Sequence, residues 1–263
     1  MQMDALHKRI CSILEEVPGR FSVAVRWLDS GDTLCLNETM PFVAASVIKL
    51  PVMIAAFAAS AAGKLDFSAP VPLRTEDKLP SCGVLKAMHS GLVPTVADLC
   101  SLMITVSDNT AANLMIRLVG IDAVNACMAQ YGARDSCLRR LLFDADASAK
   151  GIENTVTAAD MLLLLQKLYA GQVVSPQAST RMLDILADQR LNGKMPFWLP
   201  PGTRCAHKTG EDNGITHDVG IVYAPHPFAA CFLSQNTDPP RFIRAIQDIT
   251  RLLYEQAEKG ASL

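Results

Sequence analysis

The sequence predicts an α+β protein. One five-stranded antiparallel sheet is built from both ends of the chain and flanked by terminal helices, with an all-helical lobe beside it. Three observations carry that expectation. Period-two, β-rich runs occur only near the two ends, at 21–36 and 204–234. Helical periodicity fills the middle, from about residue 45 to 195. Half of the 263 residues are hydrophobic and 19% are charged, below the roughly 25% of an average soluble domain, so the chain can bury a large core.

Taken in order, residues 4–17 read as a helix, with Leu6, Ile10, Ile13 and Leu14 on one face and Pro18-Gly19 ending the pattern. Residues 21–27 alternate as a strand, Asp29-Ser30-Gly31-Asp32 turns the chain, and Thr33-Leu34-Cys35-Leu36 returns as the hairpin partner. Residues 46–62 are apolar nearly all round, which puts that helix at the centre of the fold. Thr95-Val96-Ala97-Asp98 has the form of a capping box, and helices over 110–118 and 157–168 stop at Gly120 and Gly171. Beyond Pro200-Pro201-Gly202, strands are expected at 204–209, 217–223 and 228–234, and an amphipathic helix over 240–259 closes the chain. The expected division is a lobe of 1–44 with 196–263 and a helical lobe of 45–195, forming one folding unit with a cleft between them.

Charge and composition exclude several classes of function. Lys+Arg number 24 against 26 Asp+Glu, a net charge of −2, so nothing favours a nucleic acid or an anionic membrane surface as partner. The longest apolar run, 50–59, is too short to span a bilayer and contains Pro51. The first ten residues lack the apolar core of a signal peptide. The chain as given therefore reads as cytoplasmic, and as periplasmic or secreted if a leader was removed. None of the eight cysteines forms a Cys-x-x-Cys pair, and several sit in apolar stretches such as Ala229-Ala230-Cys231-Phe232-Leu233, so free, mostly buried thiols are expected. The five histidines lack metal-ligand spacing; no metal and no cofactor are expected, and the chain is expected to be a monomer acting on a small molecule.

Three short motifs carry the chemistry. In Ala44-Ala45-Ser46-Val47-Ile48-Lys49, Ser46 and Lys49 share one helix face at the start of a buried segment. Free N–H groups there suit a hydroxyl that becomes acylated, and a desolvated lysine can accept its proton. Ser107-Asp108-Asn109 forms a polar knot between two helices, and Lys208-Thr209-Gly210 falls in a returning strand, where glycine permits close approach of a second backbone. Alone, each has a plainer explanation. Ser-x-x-Lys recurs by chance about once in a chain of this length, Ser-Asp-Asn suits a helix N-cap, and Lys-Thr-Gly by itself says little. Their joint occurrence in that order, on those elements, is a far stronger signal.

With these motifs, and with the segments Phe42-Val43-Ala44-Ala45-Ser46-Val47-Ile48-Lys49, Asp98 to Asn113 and Asn154 to Met161, the chain resembles the class A β-lactamase family of penicillin-recognising serine hydrolases over essentially its whole length. The resemblance implies the β-lactamase/transpeptidase-like fold, a three-layer α/β/α sandwich lobe plus an all-helical lobe. It implies Ser46 as the acylated nucleophile, Lys49 as its proton acceptor and Ser107 as the proton shuttle to the leaving nitrogen. Asn109 would bind the substrate's side-chain amide, and Lys208 and Thr209 its carboxylate. The backbone N–H groups of Ser46 and of Glu211, the residue after Gly210, would form the oxyanion hole.

One departure matters. Family β-lactamases carry Arg-x-Glu-x-x-Leu-Asn in the loop before the segment beginning at Asn154, and its glutamate activates the water that frees the acyl-enzyme. This chain reads Arg139-Arg140-Leu141-Leu142-Phe143-Asp144-Ala145-Asp146. With Arg140 in the place of the arginine, Leu142 stands where the glutamate belongs. Asp144 and Asp146 are the nearest carboxylates, off the family spacing, and solvated surface acids are the plainer account of them; Glu211 is expected to point to solvent. His207 and His217 are expected beside Lys208, packed or lining the cleft, and Cys82 at the cleft's border. Three readings stay open: a β-lactam hydrolase with slow or unconventional deacylation, a DD-peptidase- or esterase-like hydrolase with another substrate, and an inactive penicillin or peptide sensor.

Overall fold

Alternation along the terminal strands decides how the two layers of helices pack. The computed structural model describes residues 2–259. Strand β1 (Arg20–Trp27) pairs with β2 (Thr33–Leu36), with Val25 opposite Leu34, and on its other side with β7 (Phe228–Gln235), with Val23 opposite Phe232. β7 then pairs with β6 (Ile215–Val222), and β6 with β5 (Cys205–Asp212), in which Lys208 faces Val219. The antiparallel order β2-β1-β7-β6-β5 makes β5 an edge strand and joins the chain's two ends at its centre. One face presents Val23, Val25, Trp27, Phe228 and Phe232 to α1 (Gln2–Glu15) and α9 (Pro239–Glu258), which contribute Ile10, Leu14, Phe242 and Ile249. The other presents mostly small residues, Ala24, Ala206, Ala229 and Cys231, which let the helical layer approach closely. That larger core runs without a break from the sheet into the helices. The ends of the expected lobe, residues 1 and 260–263, lie outside the described residues.

The helical part comprises α2 (Lys49–Ala61), α3 (Val96–Thr105), α4 (Asn109–Val119), α5 (Ile121–Gln130), α6 (Ala145–Ala149), α7 (Ala158–Tyr169) and α8 (Pro176–Ala187). Its caps follow the sequence. Thr95 Oγ1 accepts from Asp98 N and Asp98 Oδ2 from Thr95 N, the reciprocal capping box. Gly120 and Gly171, at φ 90° and 69°, end their helices as expected.

Three expectations are corrected. The segment 46–62 is not one α-helix: it starts as a tight 3-10 turn, Ala45–Ile48, and becomes α-helical at Lys49. Pro51 falls in the first turn of α2, where its missing N–H has no intrahelical partner to lose. Nor is 45–195 wholly helical. Residues 62–94 hold only two short 3-10 turns, Thr75–Asp77 and Leu85–Ala87, because Pro70, Pro72, Pro80, Gly63, Gly83 and Gly91 break any helical run. A two-stranded ribbon also joins β3 (Phe42–Val43) to β4 (Thr155–Val156), each too short to leave a periodic trace. All eight cysteines are free thiols, but only four are buried: Cys100, Cys127, Cys205 and Cys231.

Candidate active site

The 3-10 turn that carries Ser46 opens on a strained residue, Ala45, at φ 43°. Lys49 lies one turn on and is fully buried. Its Nζ stands 3.0 Å from Ser46 Oγ, 2.7 Å from Ser107 O, 3.1 Å from Ser107 Oγ and 2.8 Å from Asn109 Oδ1. Burial pushes the lysine down to about 7, opposed by Cys82 and Asp108. Near neutral pH a substantial share of Lys49 is therefore an amine, whose lone pair can take the Ser46 proton.

Ser107 is also a non-glycine residue in the left-handed region, at φ 54°. Its Oγ accepts from Lys49 and, at 2.9 Å, from Lys208. With both lone pairs filled by lysine donors, the Ser107 hydroxyl hydrogen is left to point at another group. Asp108 touches no reacting atom. It caps α4 through Ala111 N (2.9 Å) and accepts from Val84 N and Leu85 N at 2.7 and 2.8 Å, tying the 80–85 turn to the α3–α4 corner. Glycine is required at 83, where φ is +108° and a Cβ would lie 2.3 Å from the Asp108 carboxylate. Asn109 lines the cleft, but its amide also bridges the site internally: Oδ1 accepts from Lys49 and Nδ2 donates to Pro80 O at 3.1 Å.

Lys208 and Thr209 are buried on β5, and Lys208 Nζ also donates to Thr209 O at 2.8 Å. Burial first, then repulsion from Lys49 and Lys194, holds Lys208 well below the ordinary lysine range, with Asp218 pulling the other way. Lys208-Thr209-Gly210 lies inside the strand rather than at its end, because β5 runs on to Asp212. A Cβ on Gly210 would stand 3.2 Å from Val47 Cγ2 and 3.3 Å from Ser46 N. The glycine thus lets the sheet edge lie against the nucleophile turn. Edge-strand backbone carries N–H groups that the sheet does not use, which suits that of Glu211 as an oxyanion donor beside the N–H of Ser46 on its 3-10 turn.

A cleft of about 550 Å³ opens over these groups, lined by Ser46, Cys82, Asn109 and Glu211, with Leu142, Phe143 and Asp144 on the facing wall. That wall is firmly held. Asn113 brackets Leu142, accepting from its N at 2.8 Å and donating to its O at 2.9 Å. Arg140 pairs with Glu153 at 2.5 Å and donates to Ile152 O. Asp144 caps α6 through Ala147 N at 3.0 Å, and Asp146 is not among the groups lining the cleft.

His207 and His217 are fully buried and do not line the cleft. His217 Nε2 donates to Val43 O while Nδ1 accepts from Ser234 N, and burial pushes it down to about 4, so it is a neutral spacer between β3 and the sheet. His207 bonds Asp218 at 2.8 Å and Asn192 at 3.0 Å. The sequence did not single out Lys194, a buried lysine that donates to His217 O and Gly210 O and pairs with Glu211. It also missed Glu153 and Asn113. A lysine in a predicted apolar setting was the one available signal, since the partners of Lys194 are mostly backbone oxygens of distant strands. Among the described residues no group of three or more His, Cys, Asp or Glu is placed to hold a metal ion.

Residues 5–257 match the profile of the beta-lactamase enzyme family. A beta-lactamase of Rhodobacter capsulatus is 29% identical over 261 residues, covering 95% of this chain and 87% of that protein. The crystal structure of beta-lactamase from Sphaerobacter thermophilus superposes with a TM-score of 0.88 at 33% identity, covering 98% of both chains. A leucine-to-glutamate variant of PBP-A, solved as an acyl-enzyme complex with penicillin G, superposes with a TM-score of 0.88 at 28% identity, covering 98% of this chain and 97% of that one.

Proposed function

We propose, from the premise that the chain belongs to the beta-lactamase enzyme family and is a serine β-lactamase-type hydrolase, that it opens a β-lactam through a long-lived acyl-Ser46 intermediate. Neutral Lys49 takes the Ser46 proton as Oγ attacks the lactam carbonyl. The backbone N–H groups of Ser46 and Glu211 receive the developing oxyanion. Ser107 passes its proton to the leaving nitrogen as the C–N bond breaks, and is reprotonated through Lys49. Lys208 and Thr209 hold the substrate's carboxylate, and Asn109 its side-chain amide.

The second half of the cycle lacks its usual base. Leu142 cannot activate water, and of the carboxylates that line the cleft Asp144 is engaged as a helix cap, Glu153 by Arg140 and Glu211 by Lys194. Acylation is therefore fast relative to hydrolysis of the ester. The observation that carries this reading is the 3.0 Å approach of a buried, depressed lysine to Ser46 Oγ. Intact-protein mass spectrometry with benzylpenicillin tests it. A single penicilloyl adduct that maps to Ser46 and is absent from Ser46→Ala is expected; no adduct together with no turnover would refute it.

A DD-peptidase-like activity on a peptide substrate is the second reading, favoured by the same Leu142, because such enzymes also turn penicillin over slowly. A wild-type adduct together with release of terminal D-alanine from an acyl-D-Ala-D-Ala peptide would select it. The complete acylation set weighs against an inactive sensor.

A further inference from the structure

A second cavity, of about 830 Å³, lies between the terminal helices α1 and α9 and shares no lining residue with the Ser46 cleft. The start of α9 meets the end of α1 there, where the Arg241 guanidinium donates to Glu16 O at 3.4 Å. Val17 and Ala245, both buried, and half-buried Ile13 give the groove an apolar floor. Three arginines line it, and they are not equivalent. Arg241 is engaged by Glu16 O and, at 3.6 Å, by Asp238. Arg9 of α1 and Arg244 of α9 are exposed, and neither side chain makes an ion pair or hydrogen bond among the described residues. The other arginines of α9 each have an acid: Arg241 has Asp238, and Arg251 has Asp248 and Glu255. Asp248, one turn beyond Arg244, is thus drawn to Arg251, at 3.7 Å.

Two guanidiniums from different helices therefore line one groove without a counter-charge, above hydrocarbon. Each presents a fork of N–H donors that matches a carboxylate. The α1 stripe from Arg9 to Glu16 is seven residues, roughly 10 Å at the helical rise, far longer than a carboxylate alone. Glu16 lies at its far end and would repel a ligand charged along its whole length. One anionic head with an uncharged tail meets all of these conditions. We propose that this groove is a binding site for an amphiphilic anion, its carboxylate head between Arg9 and Arg244 and its hydrocarbon tail over Ile13, Val17 and Ala245. The site is independent of acylation at Ser46.

Octanoate is the probe, titrated calorimetrically into the whole protein below its micelle-forming concentration, with 1-octanol as the same tail without the charge. The wild type is expected to bind octanoate more tightly than octanol. Arg9→Gln combined with Arg244→Gln is expected to weaken octanoate about fivefold to thirtyfold, two exposed charge contacts, and to leave octanol within about twofold. Neither arginine has a bond to lose, so the urea midpoint of this variant stays at the wild-type value. Glu16→Gln, which removes the repelling acid, is expected to tighten octanoate about twofold to threefold. Lys8→Gln removes the same charge from an exposed side chain of α1 outside the groove, and changes the affinity by less than about twofold. Failure of the wild type to bind octanoate overturns the inference, as does an affinity unchanged in the double arginine variant. An equal loss in Lys8→Gln also overturns it, because the effect would then be a general field rather than a site.

Discussion

On the floor of the cleft, Lys49 alone meets four oxygens from Ser46, Ser107 and Asn109, whereas the loop wall opposite turns Leu142 and Phe143 toward the same space. The two regions are equally well anchored. The floor is pinned by Asp108 and Gly210, the wall by Asn113 and the Arg140–Glu153 pair. They differ in what the anchoring presents. The floor offers a hydroxyl, an amide and buried lysines; the wall offers the hydrocarbon of Leu142 and Phe143 beside an acid, Asp144, engaged as a helix cap. On the proposed reading only the first half of a two-step hydrolysis is equipped, and the Asn113 hydrogen bonds hold Leu142 in that wall.

Four changes break or sharpen that contrast, in descending size. Ser46→Ala removes the covalent adduct altogether, as read by intact mass. Lys49→Met slows acylation by about 10² to 10⁴, the usual worth of a positioned base. In the wild type the acylation rate rises with pH and is half-maximal near the value of about 7 to which burial brings Lys49, because only the deprotonated amine accepts the serine proton. A flat profile from pH 5.5 to 8.5 would contradict that role. Leu142→Glu, made on the wall, speeds loss of the adduct by about 10² or more while acylation changes by less than about threefold. Asp108→Ala leaves Val84 N, Leu85 N and Ala111 N without their acceptor. It lowers stability by about 1–3 kcal/mol in urea unfolding.

The floor was more legible in the sequence than the wall, for physical reasons. Ser46 and Lys49 are neighbours along the chain, so spacing alone brings them together, and capping signals such as Thr95 with Asp98 act within one turn. Strands 20–27 and 228–235 are long enough to show their alternation. By contrast, β3 and β4 are two residues each, and their pairing is fixed by neighbours remote in sequence. The left-handed backbone at Ala45 and Ser107 leaves no trace in residue type, since neither position is glycine. Lys194 escaped notice because its acceptors are a carbonyl of β5, a carbonyl of β6 and an acid read as solvent-facing. On the wall, Leu142 acquired meaning only from the resemblance to a family that places a glutamate there. The reach of Arg140 to Glu153 across its loop is a tertiary fact.

The contrast between floor and wall reduces to one number, the lifetime of the acyl-enzyme. After a brief exposure of the wild-type protein to benzylpenicillin and removal of the excess, intact mass followed over hours gives that lifetime directly. The account predicts a stoichiometric adduct on Ser46 that decays far more slowly than it forms. Rapid multiple turnover with no accumulating adduct would contradict it, because some group would then activate water as well as the missing glutamate does.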